Sequence, residues 1–156
     1  MVKKTYQQDI NGKKIAKAMV KNKPVSTKFA TELCREIKGK KLTKAEEFVK
    51  KILDGKEYLP LRKYRRKVAH RKGKAKSKVK SGRYPKKLCR VMLELMQNLK
   101  ANAENKGLDP DNLMIVHAFA STGFRRFAAQ PKGRIAGKIY RKKSTHIELI
   151  ARELRA

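Results

Sequence analysis

The sequence predicts an α+β domain of 156 residues that carries two long basic segments. Three stretches place apolar residues at the three- and four-residue spacing of amphipathic helices, and three shorter apolar runs are typical of strands. The remaining long stretches are rich in Lys and Arg and have no apolar period that would face a core. We therefore expect a single domain (1–156) with a basic extended loop at 56–84 and a protruding hairpin arm at 121–145.

The first half of the chain predicts a strand followed by two helices. Residues 13–20 read KKIAKAMV, which is typical of a short strand. Ser26 is placed as the N-cap of a helix that ends at Gly39, since Gly is favoured just after a helix. The run Thr43-Lys-Ala-Glu46 has the spacing of a capping box, so we expect a second helix from there to Gly55.

The second half predicts a loop, a long helix and two strands. Over residues 56–84 the apolar periodicity vanishes, and we expect a loop that becomes ordered only against a partner. Pro85 is well placed as the first residue of a third helix, which ends at Gly107. After it, the runs 113–120 and 146–150 have strand character.

The arm lies between these last two strands. If they pair antiparallel, symmetry places the turn close to Pro131-Lys132-Gly133. Each side of the arm beyond the paired base is then about a dozen residues, or about 40 Å at the rise of a strand. A ribbon of that length exceeds the body of a small domain and is marginally stable in water. We therefore expect it to project and to be held by an external partner.

The charge of the chain is strongly positive and unevenly distributed. The chain has 43 Lys or Arg against 13 Asp or Glu, a formal net charge of +30. Residues 58–93 hold 15 of the basic residues and residues 112–147 hold 8, and neither stretch contains an acid. A merely soluble surface mixes both signs. The two acid-free blocks therefore predict two separate surfaces for phosphate, with nucleic acid as the partner.

The basic residues of the arm are the first candidates for such contacts. They are Arg125, Arg126, Lys132, Arg134, Lys138, Arg141, Lys142 and Lys143. Three aromatic residues lie among them, Phe124, Phe127 and Tyr140, which either stack on unpaired bases or pack across the ribbon. A membrane partner is disfavoured, because no stretch approaches the about 20 apolar residues of a span and no signal peptide precedes the domain. We expect an intracellular, soluble protein.

The sequence offers no support for an enzyme. His70, His117 and His146 are far apart, and Ser144 with His146 is no triad without an orienting acid and an oxyanion site. GRIAGK (133–138) lacks the spacing and the Ser or Thr of a phosphate loop. We expect no catalytic residue.

The two cysteines do not predict a metal site. Cys34 and Cys89 are 55 positions apart, with no Cys-x-x-Cys pair and no nearby His. Both fall among apolar residues of predicted helices, so we interpret them as small buried side chains. We expect no metal and no cofactor.

Several stretches resemble the universal large-subunit ribosomal protein L-twenty-two family, in its archaeal and eukaryotic form (L-seventeen in eukaryotes). They are ELCREIKGKKLTKAEEFVKKIL (32–53), KVAHRKGKAK (67–76), GRYPKKL (82–88), NLKANAENKGLDPDNLMIVHAFASTG (98–123) and THIELIARE (145–153). They follow the family's order and cover most of the chain. ANAENKGLDPDNLMIVH is specific enough to be strong evidence.

The resemblance implies a fold and a function. The implied fold is α+β, with three helices packed on a small antiparallel sheet and one long protruding β-hairpin. The implied function is that of a structural constituent of the large ribosomal subunit in the cytoplasm, which binds large-subunit rRNA and supports assembly. The hairpin tip is implied to line the nascent-peptide exit tunnel beside an L-four-type neighbouring protein, next to the nascent peptide.

The charge pattern of the loop and arm, combined with the resemblance, gives the candidate rRNA-binding residues. In the loop, the rRNA-binding candidates are Arg62, Lys63, Arg65, Arg66, Lys67, His70, Arg71, Lys72, Lys74, Lys76, Lys78, Lys80 and Arg83. In the hairpin they are Arg125, Arg126, Lys138, Arg141, Lys142 and Lys143, and the tunnel tip comprises Gln130, Pro131, Lys132, Gly133 and Arg134. The family tip usually reads Pro-Arg-Ala-x-Gly-Arg. Pro131-Lys132 matches its Pro-Arg, and either Gly133-Arg134 or Gly137-Lys138 corresponds to its Gly-Arg.

The alternative interpretation is an architectural DNA-binding protein, since a basic β-ribbon can enter a groove of duplex DNA. Such proteins usually dimerise to present two arms. We assign no apolar helix face of this chain to a dimer, and therefore expect no homo-oligomer. Preference for duplex DNA or for folded large-subunit RNA distinguishes the two interpretations.

Overall fold

The computed structural model describes residues 6–72, 78–134 and 136–154. Two of the candidate loop residues, Lys74 and Lys76, lie outside these ranges. A 3-10 turn at Pro110–Asn112 precedes the fourth strand. The elements in chain order are β1 (Ile15–Lys23), α1 (Thr27–Ile37), α2 (Leu42–Leu53), β2 (Leu59–Pro60), β3 (Gly82–Arg83), α3 (Lys86–Glu104), β4 (Leu113–Thr122), β5 (Arg126–Ala129), β6 (Ile139–Lys142) and β7 (Thr145–Glu153).

The main sheet is antiparallel, with β7 between β1 and β4. β4 pairs with β7 from Leu113 opposite Glu153 to Thr122 opposite Thr145. The predicted pairing of the last two apolar runs is therefore confirmed. With three helices packed on this sheet, the structure also confirms the α+β fold class.

The helices cover one face of the sheet. Sheet residues such as Ala18 and Leu149 belong to the same buried cluster as Leu33 of α1 and Met92 of α3. In α3 the apolar residues at the predicted three- and four-residue spacing are all buried: Leu88, Met92, Leu95, Met96, Leu99 and Ala103. Burying each large apolar side chain contributes about 1.5–3 kcal/mol, and this cluster holds the body together. In the described ranges, no helix has both the length and the apolar character needed to cross a membrane.

Two of the predicted helix starts need correction. α2 begins at Leu42 with no side-chain cap, so the capping box at 43–46 is wrong. The cause is a pair of tertiary hydrogen bonds. The N–H of Gly39 donates to the carbonyl of Ile115 (2.8 Å), and the N–H of Ile115 donates to the carbonyl of Lys40 (3.0 Å). These bonds to β4 fix the entry to α2, and the acid at position 46 contacts a lysine of α3 instead. In α3, Pro85 is the N-cap rather than the first helical residue.

The other face of the sheet is covered in part by the segment that precedes β1. The N–H of Gln7 donates to both carboxylate oxygens of Glu148 (3.1 and 3.2 Å). Beneath it, Ile150 is fully buried and His117 is 6% exposed. The face therefore contributes a second, smaller buried layer.

Candidate nucleic-acid interface

The arm is a two-stranded ribbon that continues beyond the main sheet. β5 pairs with β6 from Arg126 opposite Lys142 to Ala129 opposite Ile139. The turn is closed by a hydrogen bond from the N–H of Gln130 to the carbonyl of Lys138 (3.1 Å). It therefore lies where symmetry predicted it. Of the candidate tip residues, Gln130 is half-buried and Pro131, Lys132, Gly133 and Arg134 are exposed.

Asn22 fastens the base of the arm to the body. This residue lies at an irregularity in the pairing of β1 and has a left-handed φ of 54°. Its side-chain oxygen accepts a hydrogen bond from the N–H of Phe124 (3.0 Å) and lies 3.3 Å from the hydroxyl of Ser144, which donates to the carbonyl of Phe124. The N–H of Gly123 donates to the carbonyl of Ser144 across the base (2.8 Å). One side chain of β1 thus contacts both sides of the arm.

A second contact joins the arm base to the start of α1. Thr145, the first residue of β7, is completely buried. Its hydroxyl donates to the carbonyl of Val25 (2.8 Å) and lies 2.8 Å from the hydroxyl of Thr27. These contacts hold the first turn of α1 beside the arm.

Each face of the arm combines an aromatic ring with a cation. Phe127 lies opposite Arg141, whose guanidinium is 5.4 Å from the ring centroid. On the other face, the Lys142 ammonium is 5.7 Å from the ring centroid of Tyr140. Phe127 is 66% exposed and Tyr140 is 42% exposed. The register therefore places no aromatic ring opposite another between β5 and β6, and most of the Phe127 ring is open to a stacking partner.

Two carboxylates of α1 bind the start of the basic loop. Glu32 is 1% exposed and accepts hydrogen bonds from the N–H groups of Lys63 and Tyr64, each at 2.8 Å. Glu36, one turn further on, forms an ion pair with the Arg62 guanidinium at 2.8 Å. The expectation that the loop is ordered only against a partner is therefore wrong for this end. The cause is a pair of acids that the sequence pattern left unassigned.

The two ends of the loop also pair with each other. β2 and β3 form a short antiparallel ladder, and the N–H of Leu61 donates to the carbonyl of Ser81 (3.0 Å). Beside the ladder lies a groove of about 410 Å³. It brings together five of the candidate loop residues: Arg62, Arg66, His70, Lys78 and Lys80.

Apart from Arg65, the other described loop candidates divide into two groups. Arg71 and Arg83 each donate from the guanidinium to the carbonyl of Gly82, at 3.0 Å, so they stabilise the end of the loop. Arg71 also lies 5.5 Å from the ring centroid of Tyr84. The remaining members are exposed lysines: Lys63, Lys67 and Lys72.

A larger groove, the junction groove, lies where α1, the loop and the arm base meet. Its volume is about 640 Å³. Residues of both acid-free blocks line this groove, because Glu32 and Thr145 hold the loop and the arm against the same helix. The phosphate contacts themselves stay a prediction. Within the described part of the chain, the basic side chains that line the junction groove form no ion pair with a carboxylate. These side chains are Lys28 and Arg65 on one side, and Arg125, Arg141 and Lys143 on the arm.

Three residues that build this interface were not predicted from the sequence. Lys28 lies in a region of mixed charge, where no run distinguishes it. Asn22 precedes a predicted turn, and its contact with the arm spans most of the chain. Glu32 is followed one helical turn later by Glu36, and this spacing does not distinguish a buried anchor from an exposed acid of an amphipathic helix.

The histidines have three separate environments. His117 pairs with Glu148, with Nε2 and Oε1 2.9 Å apart, on the partly covered face of the sheet. Nδ1 of His146 accepts a hydrogen bond from the N–H of Asn22 (3.3 Å). His70 lines the groove beside the β2–β3 ladder. Across the described ranges, no group of three or more His, Cys, Asp or Glu is placed to hold a metal ion.

The cysteines are buried, as the sequence predicted. Burial, with a smaller effect of the Glu148 charge, raises the pKa of Cys34 from 9.0 to about 12. Burial also raises the pKa of Cys89 to about 11. Both are neutral thiols inside the body at physiological pH, and neither is poised for nucleophilic chemistry.

These features define a class of protein: a small basic domain that presents cationic grooves and a cationic arm to a polyanion. The family model for ribosomal protein L22p/L17e matches residues 18–152. The large ribosomal subunit protein uL22 of Ignicoccus hospitalis is 41% identical over 155 residues, which cover 96% of this chain and 96% of that protein. Its counterpart from Sulfurisphaera tokodaii is 42% identical over 96% of this chain and 97% of that protein.

A more distant counterpart, from Methanocaldococcus jannaschii, is 36% identical over 98% of this chain and 97% of that protein. The chain belongs to the ribosomal protein L22p/L17e family. It is therefore a ribosomal protein with a structural and non-enzymatic role, as the resemblance implied.

Proposed function

We propose that the chain is a structural constituent of the large ribosomal subunit in the cytoplasm. Its loop and arm bind large-subunit rRNA and fix the arrangement of RNA segments during assembly. The observation that carries this proposal is the arm, because it is free of acids, exposed on both faces and tied to the body at its base. A ribbon of this kind requires support from outside the chain.

The chemistry of the proposed contacts is neutralisation of phosphate. Arg126, Lys138 and Lys142 are exposed along the arm, and Lys63 and Lys67 are exposed on the loop. Each phosphate contact releases counterions, so the logarithm of affinity falls with the logarithm of salt. With ten such contacts, the slope is about −7 to −9.

The tip is proposed to line the nascent-peptide exit tunnel beside an L-four-type protein. Apart from the half-buried Gln130, its residues are exposed, and Gly133 with the basic Lys132 and Arg134 combines a slender outline with positive charge. A slender turn passes between converging RNA segments at low steric cost. The arm length and tip composition support this proposal, which remains separate from rRNA binding as such.

Sedimentation tests membership of the large subunit. The tagged full-length chain is followed through gradients of its own cell lysate at low and at high salt. We expect co-migration with the large subunit in both, because an arm threaded into RNA is held by geometry as well as by charge. Release to free protein at high salt, or migration with DNA, contradicts the proposal. Migration with DNA favours the architectural alternative, which no observed contact supports specifically.

A cross-linking experiment tests the tip separately. Both native cysteines are buried, so Lys132→Cys introduces an exposed thiol at the tip without competition from them. In ribosomes carrying a stalled nascent chain, a short thiol-directed cross-linker at position 132 should capture that chain. Lys44→Cys, on the exposed side of α2, is the matched control and should not. Equal capture at both positions, or none at position 132, contradicts the tunnel assignment and leaves rRNA binding intact.

A further inference from the structure

We propose that the junction groove binds the backbone of a single-stranded RNA segment and that the adjoining base stacks on Phe127. This inference rests on the proposed function as an rRNA-binding protein and names the site and the form of RNA. It adds a phosphate clamp between body and arm to the contacts along the loop and ribbon.

The first argument is charge. Lys28 and Arg65 line one side of the junction groove, and Arg125, Arg141 and Lys143 line the other. α1 begins in this groove and has no acidic residue in its first turn. Five cations around one groove repel each other unless an anion lies between them. A phosphate between the two sides converts this repulsion into charge-assisted hydrogen bonds.

The second argument is the backbone of Arg65. Its φ is 57°, in the left-handed region that residues with a side chain rarely adopt. Its guanidinium lies 5.2 Å from the ring centroid of Phe29, which supports the side chain at the groove. Strain held at a positioned cation is typical of binding sites. Gly would adopt this φ without strain, so Arg at this position places a charged side chain at the groove at a cost in backbone energy.

The third argument is the neighbourhood of Arg141. This side chain lines the junction groove and also lies over the Phe127 ring. A phosphate bound by Arg141 therefore has its own nucleotide next to an aromatic surface that is 66% exposed. Aromatic rings beside a cationic groove are the usual arrangement for binding unpaired nucleotides.

The fourth argument is size. A volume of about 640 Å³ is that of a small-ligand site. It accommodates a few backbone units of one strand. Stacking on Phe127 requires a base that is not paired, which distinguishes a single strand from a duplex.

The test measures binding of the full-length chain to a short single-stranded RNA that contains 2-aminopurine. Anisotropy gives the affinity over a range of salt, and quenching of the 2-aminopurine reports stacking. Phe127→Leu should lose the quenching and weaken binding by about fivefold or more. Phe124→Leu is the matched control, since Phe124 is also 66% exposed but, among the described residues, no cation of the junction groove lies over its ring as Arg141 lies over Phe127. It should behave like the native chain.

Two charge variants test the clamp. Arg65→Gly removes the guanidinium at a position where Gly fits the backbone, and Arg141→Gln removes the cation shared with Phe127. Each should make the log–log salt slope shallower by about 0.7 for each phosphate that the variant no longer neutralises. Lys44→Gln removes one exposed charge from α2 and should leave RNA affinity close to that of the native chain. Unchanged thermal unfolding of Arg65→Gly shows that any weakening of binding does not come from unfolding.

Several outcomes overturn the inference. If Arg65→Gly and Arg141→Gln bind RNA as Lys44→Gln does, the junction groove is not a phosphate site. If the matching RNA duplex binds as tightly and the two Phe variants are equivalent, no base stacks there. If polyglutamate displaces the RNA at equal charge concentration, the groove is a site for acidic protein. Each of these leaves the proposed function standing, provided that the native chain still sediments with the large subunit at high salt; failure of that sedimentation removes the proposed function itself.

Discussion

The side-chain oxygen of Asn22 accepts a hydrogen bond from the N–H of Phe124 at 3.0 Å, although the two residues are 102 positions apart. The same oxygen lies 3.3 Å from the hydroxyl of Ser144, on the other side of the arm. Because the pairing of β4 with β7 ends at Thr122 and Thr145, the arm would leave the sheet without a lateral contact at this level. Asn22 supplies that contact and orients the base of the ribbon.

Asn22→Gly should therefore loosen the arm while sparing the body. Gly accepts the left-handed φ of 54°, so the substitution removes only the carboxamide. A hydrogen bond at an exposed site contributes about 0.5–1.5 kcal/mol, and the free energy of global unfolding should fall by no more than this amount. Hydrogen exchange of the Phe124 amide should accelerate clearly. Lys78→Gly, at another left-handed position (φ 61°) that lines the groove beside the β2–β3 ladder, is the control. Equal exchange at Phe124 in both variants contradicts this role of Asn22.

Glu32→Gln should destabilise the body and release the start of the loop. The Glu32 carboxylate accepts hydrogen bonds from three consecutive N–H groups, at residues 62, 63 and 64, and a carboxamide cannot satisfy them all. Loss of charge-assisted bonds from a buried site costs about 2–3 kcal/mol of unfolding free energy. Urea unfolding of the free protein measures this loss. Glu47→Gln, an exposed acid of α2, should cost little, and similar unfolding of both variants rules out an anchoring role for Glu32.

The sequence was sufficient for the elements that local physics determines. The apolar spacing of α3 placed its buried face correctly, and the symmetry of two apolar runs located the turn of the arm. These predictions succeed because one face of a helix or strand must meet the core wherever the element lies. Acid-free composition likewise located most of the basic residues that line the two grooves.

The remainder depended on contacts between distant residues. The start of α2 moved to Leu42 because backbone groups of Gly39 and Lys40 bond to β4. β2 and β3 are two residues each, too short for any periodicity. The junction groove arises where α1, the loop and the arm meet. Its shape follows from Glu32 and Thr145, neither of which a local pattern distinguishes as an anchor.

Gly82→Ala should destabilise the loop ends. A Cβ at this position would lie 2.1 Å from Cδ2 and 2.8 Å from Cγ of Tyr58. The Tyr58 ring is 4% exposed and its hydroxyl donates to the carbonyl of Val79 (2.9 Å), so burial and this hydrogen bond prevent the ring from moving away. Overpacking of this kind costs about 1–3 kcal/mol in urea unfolding.

Two variants make the Gly82 prediction specific. Gly12→Ala meets only the flexible end of Ile15, at 3.2 Å, and should be nearly neutral. Adding Tyr58→Leu to Gly82→Ala should relieve the clash, so the double variant should lose less stability than the sum of the two single changes. Additive losses would place the cost of Gly82→Ala elsewhere than at Tyr58.

Cys34 should give the stability of the free protein a distinct dependence on pH. Burial, and less strongly the Glu148 charge, raises the pKa of this thiol from 9.0 to about 12. Between pH 9 and about 12 the thiol ionises in the unfolded chain but stays neutral in the folded chain, because its pKa is raised in the folded state. The contribution of Cys34 to stability is therefore complete below pH 9 and is lost as the pH rises from 9 towards 12. Over that range, the free energy of unfolding of the native chain should fall relative to that of Cys34→Ala by up to about 1.4 kcal/mol per pH unit. Urea unfolding of both chains at about pH 8, 9, 10 and 11 measures this difference, in which the titration of the many lysines cancels. A difference that stays constant across this series would mean that the thiol ionises as readily in the folded chain as in the unfolded one.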